Sequence, residues 1–180
     1  MADLFDTAPD EGAPAPREAN RPLADRIRPA RLSDVVGQGK VLGPEGPLGA
    51  MLGSGSLSSL ILWGPPGVGK TTIARLLADQ TDRVFVQISA IFSGVAELRR
   101  VFDAARLRRE QPDGKGTLLF VDEIHRFNRA QQDGFLPFVE QGVVTLVGAT
   151  TENPSFELNG ALLSRSQVFV LKRLNDDSLD

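Results

Sequence analysis

Cysteine is absent from the 180 residues, and histidine occurs once, at His125. The first absence excludes disulfides and thiolate metal sites, and the second leaves no set of imidazoles for a zinc centre. No window approaches 18 consecutive apolar residues, so a transmembrane helix is excluded and no membrane partner is expected. The opening residues lack a basic stretch followed by an apolar one, so no secretory signal is expected and a cytoplasmic setting fits. Excess charge is also small, −3 in all. Residues 1–22 carry all of it, with five acids (Asp3, Asp6, Asp10, Glu11, Glu18) against two arginines. The other 158 residues hold 18 acids and 18 bases and sum to zero. The body therefore offers no overall field to attract nucleic acid, and any DNA contact has to come from a local patch.

What is present is the composition of one ordinary globular domain, 41% hydrophobic and 24% charged. Residues 1–22 hold four of the twelve prolines and little hydrophobic periodicity, which reads as a disordered arm. Residues 23–42 carry a moderate apolar pattern, and Ser54–Ser59 reads as a loop. A regular rhythm follows. Leu60–Trp63, Val84–Ile88, Leu118–Val121, Val143–Val147 and Val168–Leu171 are short apolar runs expected to be strands. Thr71–Gln80 has helical composition, and Val95, Leu98, Phe102 and Ala105 mark one face of a second helix. Asn128 with Gln131 resembles a capping box opening a third, which Pro137 should kink or end. Alternating strands and helices predict an α/β fold, a five-stranded, mostly parallel sheet flanked by helices. In such sheets ligands sit at the carboxyl ends of the strands.

The polar residues that follow the apolar runs are the informative ones. After Leu60–Trp63 comes Gly64-Pro65-Pro66-Gly67-Val68-Gly69-Lys70-Thr71, a full match to G-x-x-x-x-G-K-[ST]. Its glycines allow successive backbone N–H groups to face phosphate oxygens, and the following helix adds its positive end. Lys70 is placed to reach the β- and γ-phosphates of ATP, Thr71 to ligate Mg²⁺, and Thr72 to extend the cradle. After Leu118–Val121 come Asp122 and Glu123. Asp122 would hold Mg²⁺, directly or through water, and Glu123 would act as general base on the attacking water. After Val147 come Gly148-Ala149-Thr150-Thr151, where a hydroxyl could orient that water or sense the γ-phosphate. A lone histidine after a strand, His125, reads as structural more readily than catalytic.

These three sites in this order resemble the AAA+ ATPases, on their clamp-loader side. The resemblance sharpens in His125-Arg126-Phe127-Asn128-Arg129-Ala130-Gln131-Gln132-Asp133, in Glu152-Asn153-Pro154-Ser155-Phe156-Glu157, and in Leu162-Leu163-Ser164-Arg165. There the chain is similar to the family of replication-associated recombination protein A and the Werner-helicase-interacting ATPases, over about residues 20–175. The resemblance implies a P-loop core ATPase subdomain over 23–175. It makes Thr151 the first sensor and Arg165 an arginine finger acting in trans within a homo-oligomer. It sets Val36 and Gly37 in a segment (Val35–Gln38) lining the adenine pocket, and makes Ser89 a candidate partner for Glu123. It also implies DNA, single-stranded or forked, as partner at stalled forks or gaps, with single-strand-binding protein and the sliding clamp as further candidates and a nucleoid-associated location. Asp3-Leu4-Phe5 resembles the end of a clamp-binding motif.

The family continues into a helical lid, of which 176–180 would be a truncated start. The local basic patch is Arg99, Arg100, Arg106, Arg108 and Arg109, with Asp103 able to pair along the helix with Arg99 and Arg106. Two other readings stand beside this one. A Holliday-junction branch-migration motor shares the Asp-Glu-Ile-His-Arg and Gly-Ala-Thr-Thr patterns. A nucleotide-binding module without turnover would serve only interaction.

Overall fold

The computed structural model describes residue 29, residues 31–35 and residues 37–173. The arm over 1–22 with its Asp3-Leu4-Phe5 motif, Val36, and the segment 176–180 lie outside the described residues.

Five strands form one sheet: β1 (Leu60–Trp63), β2 (Val84–Ser89), β3 (Thr117–Asp122), β4 (Val144–Thr150) and β5 (Gln167–Val170). Their order across the sheet is β2-β3-β4-β1-β5, and every pairing is parallel. A parallel sheet buries both faces, which is why β3 reads as an unbroken apolar run. Leu118 and Phe120 enter one core with Leu60, Leu62, Val147 and Ala149. Leu119 and Val121 enter the other with Ile61 and Leu146. The period of two along each strand thus feeds two cores.

The helices close those cores. After α1 (Gly39–Leu42) and α2 (Pro47–Gly53), α3 (Lys70–Gln80) packs Ile73, Ala74 and Leu77 on the first face. On the second lie α4 (Val95–Glu110), through Leu98, Phe102 and Ala105, and α5 (Arg129–Glu140), through Phe135. Phe102 stacks on Phe138 at 4.0 Å and meets Phe135 edge-on at 5.6 Å, joining the two helices. Such aromatic pairs add about 0.5–1.5 kcal/mol each beyond the area they bury.

Each strand that was expected forms, within three residues of its expected ends. The capping box at Asn128 forms in both halves: Gln131 N–H donates to Asn128 Oδ1 (2.8 Å) and Asn128 N–H to Gln131 Oε1 (3.0 Å). Pro137 does not end α5, which runs on to Glu140. Pro137 withholds one N–H from the helix ladder on an exposed stretch, and the last turn is then closed by Gln141 N–H on the Pro137 carbonyl. Two short helices escape the periodicity, α6 (Pro154–Glu157) and α7 (Gly160–Ser164). Both are built on asparagine caps, Asn153 to Ser155 N–H and Asn159 to Leu162 N–H. Buried Gln132 ties them to α5, donating to the Phe127 and Glu157 carbonyls and accepting from Asn159 N–H.

Candidate active site

Parallel register brings the carboxyl ends of β3, β4 and β1 side by side. Trp63 lies opposite Thr150, and Gly64 N–H donates to the Thr150 carbonyl at 3.1 Å. Ser89 lies opposite Asp122 on the far side. The loop after β1 therefore opens next to the acids that end β3. Gly67 (φ 80°) and Gly69 (φ 95°) both take left-handed backbone, which a side chain would strain. Gly64 is held by proximity instead, since a Cβ there would come within 2.8 Å of the Leu171 carbonyl.

The loop ends as the N-cap of α3, where Gly69 provides no side-chain cap. Ile73 N–H is the one that closes back on the Gly69 carbonyl, so the first-turn N–H groups of α3 have no intrahelical partner. They face a cavity of about 350 Å³ lined by Pro66, Gly67, Gly69, Lys70, Thr71, Thr72, Asp122 and Glu123. A helix N-terminus with a glycine nest and a cation is a phosphate site by its physics.

Lys70 is 9% exposed. Its Nζ donates to the Gly64 carbonyl (2.5 Å) and the Pro65 carbonyl (3.2 Å), curled over its own loop. Burial pulls this ammonium below the ordinary lysine range, while Glu123 and then Asp122 act in the opposite sense. A cation stripped of water and only partly compensated favours an anionic ligand. Among the described residues no cluster of three or more His, Cys, Asp or Glu could hold a metal alone. Asp122 and Thr71 both line the cavity, so a carboxylate and a hydroxyl would be at hand as oxygen ligands. That set fits Mg²⁺, which takes one or two protein oxygens and completes its shell with phosphate and water.

Glu123 and Thr150 behave differently from expectation. Glu123 has φ 54° and ψ 43°, left-handed backbone on a non-glycine residue. The turn this starts, Ile124–Arg126, folds His125 back, so His125 Nε2 lies 3.3 Å from Glu123 Oε2. His125 Nδ1 lies 2.9 Å from the Thr150 hydroxyl. The carboxylate's partner is thus His125; the Ser89 hydroxyl, expected there, makes no bond to it. Spacing along the chain could not reveal this, because the left-handed residue re-aims the chain toward β4. Thr150 is fully buried, and its hydroxyl also accepts from Glu152 N–H. Thr151 is half-buried, with a hydroxyl unpartnered among the described residues.

The segment before α1 borders the same loop. Val35 is buried, and its Cγ1 would lie 3.9 Å from a Cβ at Gly69. Gly37 takes φ 82°. Buried Gln38 pins the segment to the chain beyond β5, donating to the Lys172 carbonyl (2.6 Å) and accepting from Lys172 N–H (3.3 Å).

Arg165 is not at this site. It caps α7, donating to the Ala161 carbonyl, and its Nε lies 2.5 Å from Glu140 Oε1. It borders a hollow with Ser59 and Val144, at the amino ends of β1 and β4. The basic patch is only partly free. Arg108 donates to Thr117 Oγ1, Arg109 to the Gln141 carbonyl, and Arg106 lies 5.5 Å over the Phe138 ring. Asp103 forms no ion pair with Arg99 or with Arg106, which lies over the Phe138 ring.

A model of the ATPase family associated with various cellular activities (AAA) matches residues 60–174. Replication-associated recombination protein A of Coxiella burnetii is 52% identical over 158 residues, 88% of this chain and 35% of that protein. The protein of the same name from Escherichia coli K12 is 50% identical over 160 residues, 89% of this chain and 35% of its own length. The chain thus spans about a third of the length of these curated relatives. Among solved structures, the Thermotoga maritima RuvB Holliday junction branch migration motor aligns with a TM-score of 0.67 at 30% identity, covering 84% of this chain and 51% of that one. A phosphate loop, an Asp-Glu strand end and a β2-β3-β4-β1-β5 parallel sheet agree with what the sequence comparison finds: the chain belongs to the AAA family of ATPases.

Proposed function

We propose that this domain binds Mg²⁺-ATP and hydrolyses it, as the motor core of a DNA replication, recombination and repair protein. The observation that carries the reading is the convergence of Lys70, Thr71, Asp122 and Glu123 on one cavity. The N–H groups of Gly67 to Thr72 and the Lys70 ammonium bind the phosphates. Gly64, Pro65, Pro66 and Val68 hold the loop open, and Val36 and Gly37 line the base. Mg²⁺, on Thr71 and Asp122, would neutralise charge on the transferring phosphoryl group. Glu123 takes the proton of the attacking water, and the free Thr151 hydroxyl contacts the γ-phosphate.

Arg165, at the far end of the sheet from this cavity, serves a neighbour's nucleotide in trans within a homo-oligomer. DNA, single-stranded or forked, is the proposed stimulus at stalled forks or gaps. Single-strand-binding protein and the sliding clamp are further proposed partners, in the cytoplasm at the nucleoid. Identity of about 50% to the recombination proteins, against 30% to the branch-migration motor, supports the first reading over the second.

Steady-state ATPase assays with and without Mg²⁺ and forked DNA test the proposal. Mg²⁺-dependent turnover raised by DNA is expected. Nucleotide binding without turnover would instead favour the interaction-module reading.

A further inference from the structure

Glu123, His125 and Thr150 form a continuous chain of contacts from the acid end of β3 to the end of β4. The His125 side chain is only 8% exposed, so water does not compete for the ring. An ionised carboxylate can only accept, so Nε2 of a neutral ring carries the proton toward Glu123 Oε2. Nδ1 is then an acceptor 2.9 Å from the Thr150 hydroxyl, whose single proton is shared between it and the Glu152 carbonyl at 3.1 Å. That hydroxyl in turn accepts from Glu152 N–H at 3.0 Å. Oε2 is the carboxylate oxygen that faces the ring, 3.3 Å away, which leaves Oε1 as the oxygen offered to water. The left-handed backbone at Glu123 is a strain that persists only where surrounding contacts over-determine it. Buried Ile124 and the histidine bridge supply those contacts.

We infer that His125 is a positioning residue for Glu123, coupling the base to the β4 end that carries Thr150 and Thr151. The Thr150 carbonyl also holds Gly64 N–H at the root of the phosphate loop. A shift of the β4 end therefore moves the base and the loop together. The inference rests on the ATPase reading proposed above, and it adds that hydrolysis requires the imidazole while nucleotide binding does not.

Two measurements test it. His125 is the chain's sole histidine, so ¹⁵N-histidine labelling yields one ring spectrum. Recorded above neutral pH, it is expected to show a protonated Nε2 and an unprotonated Nδ1, with shifts that move in Glu123→Gln. An Nδ1–H tautomer, or a ring indifferent to Glu123→Gln, overturns the inference without any change to His125. The second measurement is kinetic, on the assembled protein. His125→Ala and Thr150→Val should each lower kcat about 10–100-fold, the scale of a misplaced catalytic group. Affinity for a fluorescent ATP analogue should change less than about threefold, the double variant should be no slower than the worse single one, and Thr150→Ser should retain the rate.

A His125→Ala kcat within about twofold of the parent, or losses that multiply in the double variant, overturns the inference alone, provided Glu123→Gln is inactive. If Glu123→Gln hydrolyses as well as the parent, the ATPase reading fails and the inference falls with it.

Discussion

The two ends of the same sheet carry similar charged residues and use them in opposite ways. At the carboxyl ends, Lys70, Asp122 and Glu123 share a cavity with first-turn N–H groups left open and a lysine whose charge burial disfavours. At the amino ends, Arg165 lies on Glu140, Arg109 on the Gln141 carbonyl and Arg108 on Thr117. The second set is satisfied within the fold; the first keeps a buried ammonium on two loop carbonyls beside helix N–H groups with no intrahelical partner. Helix α5 links the two, opening with its capping box near the Asp122-Glu123 strand end and closing with Glu140 beside Arg165. Polar groups become a site where the fold leaves N–H donors open beside a partly compensated cation.

That contrast can be broken most forcefully at Arg165. In the assembled protein Arg165→Ala is expected to cut turnover by roughly 10³–10⁵, as arginine fingers do, with nucleotide affinity nearly unchanged. Mixing it with Lys70→Ala subunits should restore part of the rate at hybrid interfaces. No rescue in confirmed mixed assemblies would make Arg165 a cap of α7 and nothing more.

At the other end, Glu123→Gln should retain ATP binding and lower hydrolysis by about 10²–10⁴, the usual worth of a general base. Isothermal titration beside a phosphate-release assay separates the two, and parallel loss of binding would argue against the assigned role.

Between the ends, Gly148→Ala probes the strand that connects them. A Cβ there would lie 2.8 Å from Ile61 Cδ1 and 3.0 Å from Ile124 Cδ1. Overpacking of this kind costs about 1–3 kcal/mol, and thermal unfolding should register about 2–4 °C for each. An unchanged Tm would mean that the isoleucine tips simply rotate away.

Asn128→Ala removes one half of the capping box outright and should cost about 1 kcal/mol, measured by urea denaturation. The smallest effect is expected for Glu140→Gln. Its pair with Arg165 is nearly half exposed, and such pairs contribute roughly 0–1 kcal/mol. Stability and turnover should therefore stay close to those of the parent, whereas a turnover loss like that of Arg165→Ala would show that Glu140 presents the guanidinium.

Much of the site was legible because local chemistry enforced it. Gly67 and Gly69 need positive φ, a lysine and a threonine must follow at the helix start, and a strand buried on both faces must read as Leu118–Val121 before its acids. Where single residues redirect the chain, legibility ended. Glu123 adopts a left-handed backbone that no propensity favours, and this alone brings His125 rather than Ser89 to the carboxylate. The short α6 and α7 offered too few turns for a period to show. Pro137 looked like a terminator, yet only one helix bond depended on it.

The sequence by itself determined the α/β class, the phosphate loop, the paired acids and the family likeness, because each follows from side chains adjacent along the chain. Only the tertiary structure decided which strand ends meet, that Arg165 lies beyond reach of its own subunit's cavity, and that three of five basic residues on α4 are already engaged. Those outcomes depend on crossover connections that carry β1 past β4 and β3, so residues tens of positions apart become neighbours through register. Register is set by the packing of two cores at once, a condition that no short window of sequence contains.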